Sequence, residues 1–144
     1  MIRELKEHEQ RLLELGVVEV HDWMRPYHVT QTGVRHTSLR HCRGKKGVYL
    51  IKEAEEIVYI GMSNFCANKA LYRHFQRWND NRECATRRVY DEDRCTVSML
   101  LTDQATVCER FVIRALNPRD NLEKYEEYAV EYTPAPVEET ECPF

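Results

Sequence analysis

Ile2, Leu5, Leu12 and Leu15 recur among Glu, Lys and Arg at the start of the chain. Their spacing predicts an amphipathic helix over residues 2–15, ended by Gly16. The pattern then changes. VVEVHDWM begins at residue 17, and the stretch up to residue 46 goes on to hold Pro26, Gly33 and a basic run. It reads as a short strand or extended arm followed by a loop. GVYLIK (47–52) and IVYIGM (57–62) are β-rich and are joined by Glu53-Ala54-Glu55-Glu56, which predicts a β-hairpin. Leu71, Phe75 and Trp78 lie at helical spacing within residues 67–79. RCTVSMLLT (94–102) reads as a third strand. DQATVCERFVIRALN (103–117) reads as a closing helix, with Asp103 as its N-cap and Pro118 beyond its end. Hairpin, helix, strand and helix in this order predict an α/β chain of the α+β kind, a small three-stranded antiparallel sheet flanked by helices. Architecture of this kind leaves function open.

A chain of 144 residues closes one modest core. No apolar run approaches the roughly 18 residues needed to span a bilayer. The charged N-terminus lacks the apolar segment of a secretion signal. A membrane partner is therefore not expected, and a cytoplasmic location is. The six cysteines are scattered without a CxxC pair, so reduced thiols are expected. A zinc site built from Cys42, His36 and His41 is the disfavoured reading, because the paired ligand spacing of zinc fingers is missing.

The formal net charge of -3 would argue against a nucleic-acid partner if it were evenly spread. It is not. From Leu122 to Phe144 seven acids face one base, Lys124, which leaves residues 1–121 with a net +3. Residues 35–46 carry five Arg or Lys and no acid, and residues 69–90 carry six against Asp80 and Glu83. Arg40, Arg43, Lys45, Lys46, Arg77, Arg87 and Arg88 are the candidate phosphate contacts. A solvated surface would show the same composition.

Four ordered blocks then carry a resemblance. Gly47-Val48-Tyr49 is followed, ten residues after its tyrosine, by Tyr59-Ile60-Gly61. Next comes LYRHFQRW (71–78), and last Glu109 with Pro118 nine residues on and Asn121 three beyond that. Together they resemble the GIY-YIG nuclease superfamily over about residues 45–125. The resemblance divides the chain into an N-terminal helix and basic arm (1–46), a GIY-YIG-like nuclease domain (47–125) and an acidic tail (126–144) expected to be mobile. It implies a metal-dependent endonuclease that hydrolyses phosphodiester bonds, with DNA the expected partner.

The residue types suit that chemistry, which needs an activated water and stabilisation of phosphate charge. Glu109 is the candidate ligand of one Mg²⁺ or Mn²⁺ ion, since a carboxylate with several waters is the usual way to hold Mg²⁺. The resemblance implies Tyr49 as general base and Tyr59 as its partner. A phenol, with a pKa near 10, needs help from its surroundings in that role. Arg73 is the candidate clamp on the scissile phosphate, with Arg77 one turn later as the alternative. Many family members carry a histidine or tyrosine one turn after the arginine. Here that position is Arg77, so His74, adjacent to Arg73, is either a participant or a plain surface histidine. Met62 stands where some members have lysine. Asn121 is grouped with the catalytic residues, although fixing the closing loop is its simpler role.

Two other readings share these residues: a non-catalytic nucleic-acid-binding module on the same fold, and an RNA-directed nuclease. The apolar positions of residues 2–15 can cover their own sheet or a second copy. A monomer or weak dimer that nicks plasmid before linearising it is expected.

Overall fold

The computed structural model describes residues 1–76 and 89–122. The strands are β1 (Val17–Met24), β2 (Tyr27–Val29), β3 (Arg35–Thr37), β4 (Gly47–Glu53), β5 (Glu56–Ser63) and β6 (Cys95–Thr102). The helices are α1 (Glu9–Glu14), α2 (Ala67–Tyr72) and α3 (Ala105–Leu116), and short 3-10 turns include Arg3–His8, Arg40–Cys42 and Arg73–Phe75. The fold is α+β.

The main sheet is antiparallel and has four strands in the order β1-β6-β4-β5, while β2 and β3 pair separately. This corrects the expected three strands. The fourth is β1, on the outer side of β6. Glu19, His21 and Asp22 interrupt its apolar pattern, and its pairing with β6 shifts register twice. Charges and bulges of this kind are how edge strands avoid pairing with other chains, and they leave a strand beginning at residue 17 legible in the sequence but not its place beside β6.

The central strand β4 is buried on both faces, which explains why Val48 to Ile51 run without the polar alternation of a half-exposed strand. One face, here face A, holds Tyr49, Ile51, Val97, Met99 and Leu101 beneath Leu39, Cys42, Leu71, Tyr72 and Phe75. The other, face B, holds Val48, Leu50, Ile60 and Leu100 against Ile2, Leu5, Leu12 and Leu15 and against Cys108, Val112 and Ile113 of α3. The apolar positions of residues 2–15 thus cover the chain's own sheet. They do so as a 3-10 turn that continues into α1 rather than as one helix.

The segment 25–46 is less loop-like than expected. It packs over face A and is tied to α2 by polar contacts. The buried Tyr72 hydroxyl donates to Pro26 O at 2.7 Å, and Asn68 Nδ2 donates to Leu39 O at 2.7 Å. Helix α2 ends at Tyr72 and tightens into the turn Arg73–Phe75. Gln76 is already extended, so the helix expected over 67–79 stops at the turn Arg73–Phe75; Arg77, Arg87, Arg88 and the tail 126–144 lie outside the described residues. Helix α3 starts at Ala105, and Asp103 does not cap it. Instead Gln104 N donates to Thr102 Oγ1 at 2.9 Å.

Candidate active site

The two tyrosines of the paired tripeptides reach the same face because of one irregularity. From the hairpin turn the pairs run Glu53↔Glu56 and Lys52↔Ile57, and the next pair is Ile51↔Tyr59. Val58 is therefore an extra residue on β5, a β-bulge. Without it Tyr59 would lie opposite Leu50 and point to face B, because a one-residue slip reverses every later side chain. With it, Tyr49, Ile51, Tyr59 and Gly61 share face A. The Tyr49 and Tyr59 rings lie 6.3 Å apart, at diagonal positions of the ladder.

Gly61 stands directly across from Tyr49. A Cβ at Gly61 would overlap the Tyr49 phenol, and one at Gly47 would press on the Leu100 carbonyl of β6. The glycine in each tripeptide thus has a steric reason to be there. Tyr49 can lie across β5 only because residue 61 has no side chain.

His74 descends onto this pair from the turn after α2. It is 3% exposed, so it is a core residue and not a surface histidine. Its Nε2 lies 3.0 Å from Tyr49 Oη in a hydrogen bond whose donor depends on the tautomer. Its ring stands 4.7 Å from that of Tyr59. Arg73, the preceding residue in the same turn, has a buried Nε without a hydrogen-bond partner among the described residues. An orphaned guanidinium nitrogen is costly, and an anionic oxygen would satisfy it. Arg77, the alternative clamp, lies outside the described residues.

Tyr90 closes the cluster and carries no sequence signal. Its N–H donates to His74 O at 2.6 Å, and its hydroxyl donates to Asp120 Oδ2 at 2.8 Å. It lies between the third and fourth motif blocks and belongs to neither, and only the fold brings it to this site.

Glu109 comes from the opposite layer. Asn64, just past β5, bonds Thr106 in the first turn of α3. At the other end, Arg119 N and Asp120 N donate to Ile57 O and Val58 O. Helix α3 therefore runs back along β5. At about 1.5 Å per helical residue and 3.3 Å per strand residue, Glu109 stands roughly level with Met62 and Ser63. It shares the sheet-facing side of α3 with Ala105, Cys108, Val112 and Ile113 and is half-buried. A half-buried carboxylate at a sheet edge suits a hydrated divalent cation.

Asn121 serves β5 directly. Its Oδ1 accepts from Ile60 N at 2.9 Å, and its Nδ2 donates to Ile60 O at 2.8 Å. With Arg119 and Asp120 it covers the open edge of β5 over Ile57–Ile60. The side chain is engaged by strand backbone and not aimed at the tyrosine cluster.

Arg40, Arg43, Lys45 and Lys46 are all exposed, in the segment that leads into β4. Comparison with family models, curated proteins and solved structures finds no match. Among the described residues no helix is long and apolar enough to cross a membrane, and Cys42, Cys66, Cys95 and Cys108 are free thiols.

Proposed function

We propose that this chain is a metal-dependent endonuclease of the GIY-YIG type, hydrolysing phosphodiester bonds of DNA with Tyr49 as general base. The observation that carries the reading is the Tyr49–His74 hydrogen bond beside Tyr59. A phenol whose oxygen touches an imidazole nitrogen can pass its proton to the ring as it takes one from water, which lowers the cost of using a group with a pKa near 10. Tyr59 packs on His74 and helps hold the water and phosphate in line. Arg73 supports the reading through its unsatisfied Nε, which an incoming phosphate oxygen would complete. Glu109 would hold one Mg²⁺ or Mn²⁺, which when bound supplies charge stabilisation to the phosphate and the leaving oxygen.

The test is cleavage of supercoiled plasmid, single-stranded DNA and RNA by the purified chain, in Mg²⁺, Mn²⁺ or EDTA. The expected result is metal-dependent nicking of plasmid. Glu109→Gln and Tyr49→Phe should each reduce it by about 100-fold or more, with nucleic-acid affinity and fold retained. Wild-type turnover by either variant sinks the corresponding role. Binding without cleavage by the wild type would leave a binding module. Cleavage confined to RNA would reassign the substrate.

A further inference from the structure

A second cluster of chemistry-bearing side chains lies on face A, away from the tyrosines. His21 of β1 pairs with Met99 of β6, and Met99 pairs with Tyr49 of β4. His21 and Tyr49 thus sit in one cross-strand row, two strands apart, which is about 10 Å between backbones. Over His21 lies the turn Arg40–Cys42. His41 Nε2 is 3.4 Å from His21 Nδ1, and the two rings are 4.7 Å apart, centroid to centroid. Ligand atoms of His21, His41 and Cys42 all lie within 4.8 Å of one another, the single group of this kind among the described residues. The sequence alone suggests His36 in place of His21. The structure pairs His36 Nδ1 with Arg40 at 3.0 Å instead.

We propose that His21, His41 and Cys42 bind a single zinc ion, with Glu19 positioning the His21 ring. Two nitrogens each about 2.0–2.1 Å from a tetrahedral zinc stand roughly 3.3 Å apart, and His21 Nδ1 and His41 Nε2 already stand 3.4 Å apart. The far nitrogen of His21, Nε2, lies 2.7 Å from Glu19 Oε2. Donation from Nε2–H to that carboxylate leaves the Nδ1 lone pair facing His41 and Cys42, the carboxylate–histidine–metal relation found around bound zinc. Two imidazoles and a thiolate are borderline-soft donors that favour zinc over magnesium, so this site is chemically distinct from Glu109. Three protein ligands leave a fourth position for water, and the exposed His41 keeps that side open to solvent. On binding, the Cys42 thiol releases its proton to solvent. The ion would join the turn Arg40–Cys42 to β1. Arg40 and Arg43 flank the ligands, so zinc would hold the basic segment in place beside the tyrosine face.

The untagged full chain, stripped with chelator, is titrated with Zn²⁺ against a chromophoric chelator, and separately with Co²⁺. One tight equivalent of zinc is expected. The cobalt form should show the strong visible absorption of a tetrahedral site and a thiolate-to-cobalt charge-transfer band. His21→Ala and His41→Ala should weaken binding by about 100-fold or more, and Glu19→Gln by roughly 10–100-fold. Cys42→Ser should remove the charge-transfer band. His28→Ala, at a histidine on β2, should bind like the wild type. His41 is exposed, so its substitution tests the ligand role without disturbing the core. No tight equivalent in the wild type, or undiminished binding in both histidine variants, overturns the proposal. Nucleic acid is absent throughout, so the outcome does not depend on the nuclease reading.

Discussion

Gly61 illustrates how much a single atom decides in this site. The Tyr49 ring occupies the volume a Cβ would need at residue 61, and its hydroxyl then meets His74. Gly61→Ala must push the ring aside and strain the hydrogen bond. It should cost about 1–3 kcal/mol of stability, as overpacking of a close-packed core generally does, and cleavage should fall with it. Urea denaturation, with the His74 ring signals followed by NMR, checks this. Unchanged stability with unchanged ring signals would show that the phenol is not held there. At this scale the tripeptides are legible in the sequence and their neighbours are not. From sequence, His74 is an equal choice between catalysis and surface, because burial is a property of the packed chain. Tyr90 has no signal at all. Asn121 is visible, but its engagement by the Ile60 backbone depends on where β5 ends up.

The N-terminal element is joined to the central strand by a part-buried ion pair. Lys52 Nζ lies 3.0 Å from Glu4 Oε2 and 4.2 Å from the centre of the Trp23 ring, and Trp23 Nε1 donates to Glu4 Oε1 at 2.9 Å. Burial works to raise the Glu4 carboxyl. Hydrogen bonds from Trp23 and Lys52 outweigh it and hold the group below its ordinary 4.5. A depressed carboxyl contributes stability that is present above the unfolded value and lost as pH falls through the folded one. Glu4→Gln should therefore destabilise the chain at pH 7, by about 1–3 kcal/mol, since it leaves Lys52 buried without its counter-charge. The gap from wild type should narrow below pH 4.5. Denaturation curves at neutral and acid pH measure it, and an equal gap at both would rule out the ion pair as its source. In the sequence Glu4 is one of several charges on an amphipathic helix, and Lys52 one end of a strand. Only the layering of residues 2–15 over face B brings them together.

For the whole molecule, charge distribution matters more than net charge. Residues 1–121 carry a net +3, while the last 23 residues hold seven acids against one base. The exposed Arg40, Arg43, Lys45 and Lys46 sit in the segment that crosses face A towards β4. If they meet phosphates, replacing all four with Gln should weaken binding across all sequences. It should also flatten the dependence of log K on log salt by roughly 0.9 for each phosphate no longer neutralised. Deleting the tail after Tyr132 should leave binding equal or tighter. Fluorescence anisotropy over a range of salt concentrations reads both, and an unaltered slope in the four-residue variant would reduce the segment to solvated surface.

The sequence by itself determined the hairpin, the third strand and the closing helix, because β4, β6 and α3 are each patterned by burial against immediate neighbours. It also displayed the residue types of the tyrosine cluster in order. What it could not decide was parity and layer. The extra residue Val58 turns Tyr59 to the face of Tyr49. A plain hairpin of the same composition would have put the two tyrosines on opposite faces. Edge strand β1 gained its place through pairing with β6, and that pairing set His21 beside His41 and Cys42, distant in the chain. Local pattern reports which residues seek burial. Which side of the sheet each reaches, and what it meets there, follows from register and packing over the whole chain.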